Sequence, residues 1–582
     1  MNNIQKFAIS VFKNEEVVCD NINYESVLDY YKRNSISLIE LANKNTARIN
    51  KDFFESEHFK KAYSEEENLY KKWATEFTVI KEKWDAEKID YIFHKSINDF
   101  PYLSGNLDIL VREKDFTRAG EILKEIGYID LRSIQEAHKE YYRKFEGEKE
   151  IIPIHLHKRV CWVVPFCDID HIWENYKISE DDPLVHYPGN DDAALIICAH
   201  HFLEDHQLSL FDLKVIRECI KRENIDWNFV IKTAENMRWD HSLYTVLIIF
   251  EHLANTLLGE KLIPDKILKK SKRYVRSRNW IRMILHTKIL KKNIKLPMKI
   301  SHLWTRIHTT LREFKDPSFG TPSDRFIQVF GGLADRFIQL KLKVAAHPNL
   351  VVSFSGVDGS GKSTHINNLR KAFDKCGVKT EYYWNRAGSM PFTTAALKLY
   401  RFLKYGKTEK KDIIKSENTD ASVMPKNNTT SGLWRFLTIL DMIVWYNIKL
   451  RFFSYKGRVI ITDRYIMDNI IDIEMAANNP DINRFIYKIV RKLIPELDRQ
   501  IFISLSPQTI IDRGCDERRE EIELKHKLYS ELIKKDENIL IIDNEKDISD
   551  ASSEIINKVI TSFFDKYPDK FDGYKVKSWR YK

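Results

Sequence analysis

The sequence predicts an α/β chain. Residues 346–582 read as a three-layer domain built on a parallel sheet, residues 1–255 as an α+β region, and residues 256–345 as a basic helical connector. Three observations carry this. The apolar run Leu350-Val351-Val352-Ser353-Phe354 leads directly into a glycine-rich loop and then into a helical pattern, His365 to Cys376. Further apolar runs, Arg458 to Thr462 and Gln500 to Leu505, recur downstream among helical segments. Near the N-terminus, Leu107 to Val111 precedes a helical pattern, Phe116 to Ile126, that Gly127 stops.

A chain of 582 residues, at roughly 100–200 per domain, holds two to four domains. With 43% hydrophobic and 12% aromatic residues it can bury real cores, which excludes the disordered class. No N-terminal stretch reads as a signal peptide. No run reaches the roughly 18 apolar residues of a membrane span. The nearest, Leu433 to Phe453, is broken by Arg435, Asp441, Lys449 and Arg451. Seven cysteines stand singly with no Cys-x-x-Cys pair, which suits a reducing, cytoplasmic setting.

In the N-terminal region, Glu66 to Lys88 has helical periodicity, Ile89 to Phe93 is a short strand candidate, and Ile151 to Leu156 is another. Helical patterns return at Asp192 to His206 and Leu208 to Arg222. The net charge of +10 is concentrated: Lys266 to Arg312 holds fifteen Lys or Arg and no Asp or Glu. That segment reads either as a solvated connector or as a footprint for a polyanion, nucleic acid or an anionic membrane surface. Pro317, Gly320, Pro322 and Gly331-Gly332 punctuate its end, and Gly406 to Thr430 reads as a polar loop.

The strongest motif is Gly356-Val357-Asp358-Gly359-Ser360-Gly361-Lys362-Ser363-Thr364, a G-x-x-x-x-G-K-[ST] sequence between strand and helix. Its glycines let backbone N–H groups turn inward around phosphate oxygens, and the helix N-terminus adds its positive end. Lys362 is placed for the β- and γ-phosphates and Ser363 for magnesium, so ATP and Mg2+ are the expected cofactors. Asp463, at the end of an apolar strand, falls in the crevice where such sheets bind ligands and joins Ser363 as a magnesium candidate. Arg513, Arg518 and Arg519 follow the third strand, where cations on a mobile segment could close over a transferring phosphoryl group. Taken alone, Arg518 and Arg519 would read as a solvated helix face.

In order and spacing, Phe354 to Thr364, Asp463-Arg464-Tyr465, Pro495-Glu496-Leu497-Asp498 and the arginines beyond resemble thymidylate kinase over about residues 348–545. The resemblance implies that Asp358 lies near the reacting phosphates and that Asp463-Arg464-Tyr465 serves magnesium and the acceptor phosphate. It also implies that the catalytic arginines are Arg518 and Arg519, since Gly359 takes the place of a loop arginine. The acceptor side departs from the family. Its phosphate-gripping arginine falls at Met442, beside Asp441, and Ile466 to Asp472 replaces its base-reading segment. Losing a buried cation costs roughly 3–5 kcal/mol. Either Arg386, Arg435 or Arg464 stands in, or the acceptor differs and is held by Asp441 or Asp468.

Ser104-Gly105-Asn106-Leu107-Asp108-Ile109-Leu110-Val111, the helix ending at Gly127-Tyr128, Ile154-His155-Leu156-His157, Ala199-His200-His201 and Phe211-Asp212-Leu213 resemble a family of uncharacterised nucleotidyltransferase-like proteins over roughly residues 65–225. Active members hold two magnesium ions with Asp-x-Asp and a third aspartate. Here those places read Asn106, Asp108 and His155, a poor cage for a hard cation, so an altered or non-catalytic site is expected. His155 and His157 would share one side of a strand, and His200 and Glu204 one face of a helix, where a metal site is an open alternative.

The expected activity is transfer of the γ-phosphate of ATP to a nucleoside monophosphate of the thymidylate kind. Alternatives are a different phosphorylated or hydroxyl acceptor, an ATP-binding module that regulates a degenerate nucleotidyltransferase domain, or an active nucleotidyltransferase. Expected partners are nucleotide and a small phosphorylated substrate, with the oligomeric state open.

Overall fold

The computed structural model describes residues 3–16, 22–43, 50–95, 106–131, 139–162, 164–165, 167–180, 185–200, 207–222, 225–237, 239–274, 294–295, 314–315, 321–323, 326, 348–385, 428–451, 458–476, 484–534 and 538–566. The chain forms two compact units: Met1–Arg143 with Ile151–Gln339 and Gly573–Lys582, and Lys144–Glu150 with Leu340–Asp572. Among the described residues no helix is long and apolar enough to cross a membrane.

The first unit opens its sheet beside α1 (Glu57–Ala86), whose first turn is capped by Ser56 and which buries Trp73, Phe77, Ile80 and Trp84 along one stripe. The Ser56 cap explains why the helix starts well before the expected Glu66. Its sheet has β1 (Tyr91–Phe93), β2 (Leu107–Val111), β3 (Ile129–Asp130), β4 (Lys139–Arg143) and β5 (Ile154–His157) in the order β1-β2-β5-β4-β3. Only β2 and β5 run parallel; the other neighbours are antiparallel. Every residue of β2 is buried, because the strand is covered on both faces. Leu107, Ile109 and Val111 face a core shared with α1 and α2 (Phe116–Glu125). Leu110 faces a second core, with α3 (Asn190–His200), α4 (Leu210–Arg222) and α5 (Asp240–Leu253). Alternation along the strand therefore turns Asp108 toward the side of Leu110.

The expected connector does not begin where composition changes. Leu257, Leu258, Leu262, Ile263, Ile267 and Leu268 belong to the second core of this unit, and helix Asp265–Tyr274 packs on α5. Its apolar stripe lies between lysines, which hid it from a reading of net charge. Most of Lys266 to Arg312 lies outside the described residues, as do residues 406–427 and 201–206.

The second unit is built on β6 (Leu350–Ser355), β7 (Thr380–Trp384), β8 (Val459–Asp463), β9 (Arg499–Ser504) and β10 (Ile539–Asp543). Their order is β7-β8-β6-β9-β10, and every pairing is parallel. One face carries α7 (Asn428–Tyr446), α8 (Ile466–Ala476) and α10 (Arg519–Ile533), around Val351, Ile460, Phe502, Met442 and Tyr529. The other carries α6 (Lys362–Lys375) and α11 (Ile548–Asp565), joined by the edge-to-face rings of Phe373 and Phe563. A short helix, α9 (Pro507–Asp512), follows β9. The chain leaves β6 toward one edge, returns through β8 and then crosses to β9 and β10. The C-terminal end of β6 therefore opens on the crevice where sheets of this kind hold ligands.

Candidate active site

The glycine-rich loop joins β6, buried along its whole length, to α6. Gly361 caps α6 with φ +98, and a side chain there would begin 2.7 Å from Asn544 Nδ2. Conformation and space both demand glycine. Two braces hold the loop. Asp468, in the first turn of α8, accepts from Gly356 N (3.2 Å), Ser355 Oγ (2.6 Å), Tyr465 N (3.0 Å) and Tyr529 Oη (2.8 Å). Asn544, just past β10, donates from Nδ2 to Ser360 O (2.7 Å) and takes His365 Nε2 at 3.0 Å on its Oδ1. Burial, reinforced by Arg513, holds the His365 pKa below its usual value, so the neutral ring donates from Nε2 and accepts at Nδ1 from Ser552 Oγ at 2.8 Å.

The charged groups converge on the mouth of the loop. Lys362 Nζ donates to the carbonyls of Gly356 (2.8 Å) and Val357 (3.0 Å) and lies 3.5 Å from Asp358 Oδ1. Arg464 bridges Asp358 and Asp472, 3.0 Å from the latter. Burial works against the Asp358 charge, but Arg464, Lys362 and Lys525 outweigh it and hold its pKa at about 2. Arg464 itself sits at φ +74, a conformation that costs a bulky residue about 1–3 kcal/mol and persists where the surroundings fix it. Here its backbone N donates to Phe354 O at 2.9 Å while its side chain is tied at both ends.

Asp463 ends β8 in register with Phe354 and Trp384. Burial raises its pKa, against the pull of Lys362 and a 3.0 Å hydrogen bond from Tyr382 Oη to Oδ2. Its Oδ1 is buried with no hydrogen-bond partner. A buried carboxylate oxygen without a donor, together with the exposed Ser363 hydroxyl at the helix N-terminus, fits the oxygen ligand set of Mg2+. Thr364 is exposed on the same turn, and its N donates to Gly361 O. Arg513 also reaches the loop: its Nη1 lies 3.9 Å from where a side chain at Gly361 would begin.

Several expected residues have other work. Tyr465 donates to Pro495 O at 2.7 Å and packs against Tyr446 in the core. Asp468 is committed to its four donors and does not present a free carboxylate to an acceptor. Arg518 and Arg519 are exposed, paired with Glu521 and Glu523 of their own helix turn. Of the cations that could replace the missing arginine, Arg435 is paired with Glu474 and Arg464 with Asp358 and Asp472. Arg386 lies outside the described residues. Asp441 is buried, and Met442 is fully buried in the core with Tyr446 and Ile470. Met442→Arg should therefore cost on the order of 4 kcal/mol or more, because it puts an unpaired charge into that core. Urea denaturation checks this, and an unchanged midpoint would show that position 442 can reach solvent or an anion.

The first unit holds a separate polar centre. Asp108 and His155 are direct partners of the parallel pair β2–β5. Asp108 Oδ1 has Lys95 Nζ at 3.1 Å, His155 Nδ1 at 3.2 Å and His157 Nε2 at 2.9 Å, and Asn106 Nδ2 donates to Oδ2 at 2.6 Å. Burial opposes the carboxylate charge, but Lys95 and the two histidines outweigh it and keep the Asp108 pKa well below its usual value. Burial lowers the pKa of His157 to about 3, so its ring is neutral. One carboxylate among imidazoles does not fit a pair of magnesium ions. Lys95 and His94 escaped the sequence reading because no spacing marks them, and Asn544 and Lys525 escaped for the same reason.

Residues 101–255 match the family described as an uncharacterised nucleotidyltransferase. Among solved structures, thymidylate kinase from Candida albicans is similar at 18% identity, with a TM-score of 0.25, over 36% of this chain and 89% of that one. The chain is thus similar to nucleotidyltransferase-like proteins in its first unit and, in a stretch of about a third of its length, to a thymidylate kinase.

Proposed function

We propose that the second unit is an ATP- and magnesium-dependent phosphotransferase acting on a nucleoside monophosphate. The observation that carries this reading is the braced loop Gly356–Thr364, with Lys362 held over it and the unpartnered Asp463 Oδ1 at the end of the neighbouring strand. Loop N–H groups and the start of α6 would take phosphate oxygens, Lys362 would trade loop carbonyls for phosphate, and Asp358 with Arg464 would fix the facing wall. Magnesium, held by Ser363 and through Asp463, would offset charge on the phosphates. Arg513, and on closure Arg518 or Arg519, would add positive charge. Positioning and charge stabilisation suffice for such a reaction, so no covalent enzyme intermediate is required.

Where the resemblance to thymidylate kinase would place a phosphate-gripping cation, this chain has Met442, buried in the core. Thymidylate itself should then be a weak acceptor. The test is ADP release with magnesium-ATP across thymidylate, the other nucleoside monophosphates and phosphorylated sugars. Stimulation by one of the monophosphates supports the reading. Stimulation by a sugar phosphate alone would move the acceptor class, and ATP binding without any stimulated turnover would favour a regulatory module.

A further inference from the structure

Asp108 on β2 and His157 on β5 lie on one face of the first sheet, and His94 stands just past the end of β1. The alternation that sends Phe93, Ile109 and Leu156 into the core under α1 turns these three residues to the opposite face. All three are buried, and one ligand atom of each, a carboxylate oxygen and two ring nitrogens, lies within 4.8 Å of the others. His157 Nε2 stands 2.9 Å from Asp108 Oδ1, and the rings of His94 and His157 meet edge to face with centroids 4.3 Å apart. His94 is 2% exposed, and its Nδ1 is buried with no hydrogen-bond partner. Around a tetrahedral ion with bonds of about 2.0–2.2 Å, neighbouring donor atoms stand about 3.3–3.6 Å apart. The cluster is within a small side-chain adjustment of that spacing.

We propose that His94, Asp108 and His157 form a binding site for one zinc-class divalent cation, with a coordination position left open. Two imidazoles and a carboxylate suit a borderline ion such as Zn2+ or Co2+ and disfavour Mg2+, which takes oxygen ligands. The centre is thus nitrogen-rich, with a single carboxylate among its three donors. Asp108 and His157 lie on adjacent strands, and His94, just past β1, is tied to β2 by a hydrogen bond from its N to Asp108 O at 3.3 Å. Asn106 Nδ2, bonded to Asp108 Oδ2, orients the carboxylate from outside the ligand set. Lys95 is the competitor: its Nζ is 3.1 Å from Asp108 Oδ1, and its side chain, 15% exposed, has a way out when a dication takes that oxygen.

The test uses the full chain, stripped with chelator and titrated with Co2+. One equivalent should bind and give the visible absorption of a tetrahedral centre; Zn2+ should displace it, and excess Mg2+ should not. His94→Gln and His157→Gln should each weaken binding by more than the roughly 10–100-fold typical of outer-shell changes. Since a core glutamine can disturb folding, Lys95→Met is the companion: it keeps every ligand, removes the competing ammonium and should tighten cobalt binding about tenfold. Absence of the cobalt spectrum in both the wild type and Lys95→Met would overturn the site. So would equal affinity of the wild type and a folded His94→Gln variant.

Discussion

Lys362→Ala is expected to lower phosphoryl transfer by a factor on the order of 10²–10³, or to abolish it, and to leave the fold of the second unit in place. The ammonium donates to the Gly356 and Val357 carbonyls at the loop and faces Asp358, so its bonds are made at the mouth of the site rather than between the sheet and its helices. Removing one preorganised donor from a developing charge usually costs that much in rate. ADP release and the circular dichroism melt are measured on the same preparation. Turnover at the wild-type rate would remove Lys362 from the chemistry and the loop with it. A collapsed melt would instead mean that the lysine organises the loop rather than the phosphates.

The second large effect concerns stability. Asp468→Ala should destabilise the second unit by about 4 kcal/mol, since the buried donors Ser355 Oγ, Gly356 N, Tyr465 N and Tyr529 Oη lose their common acceptor at about 1–3 kcal/mol for each left unsatisfied. The corresponding drop in melting midpoint is about 10 °C for a unit of this size. In whatever fraction stays folded, the KM for the acceptor should hold steady. An unchanged midpoint with a raised acceptor KM would return Asp468 to the substrate-holding role that its place after Asp463-Arg464-Tyr465 suggests.

The parts legible in the sequence were those whose chemistry is local. Strand, loop and helix from Leu350 to Lys375 are contiguous, so their order, and the place of the glycines and Lys362 between strand and helix, could be read directly. Asp463 could be read from the apolar strand that precedes it. The resemblance read over roughly residues 65–225 rested on Asp108 and the histidine pair, and the family match falls at 101–255; Asn106 and His155 were legible as the neighbours of that one carboxylate. What stayed hidden was assembled by the fold. Asn544 follows a strand whose apolar alternation is weak, and nothing near it in the chain points to the loop it touches. Arg518 and Arg519 are the solvated helix face that they would read as by themselves, paired with glutamates three and four residues on. Asp468 and Tyr465 were misleading for a related reason: they lie at and just after Asp463-Arg464, yet their side chains are spent on backbone and hydroxyl donors and on Pro495 O.

The Asn544 brace has a consequence for how this loop comes into being. Ser360 and Asn544 are 184 positions apart, and His365 meets Ser552 across 187. A contact of that span forms only after the chain has closed a very long loop, with the entropy of closure already met by the strands between them. During folding, the Gly-x-x-x-x-Gly-Lys-Ser segment should thus be a tether without a shape until β10 joins the sheet and α11 docks on α6. The capacity to grip an anion would then arrive late and all at once, as a property of the completed sheet.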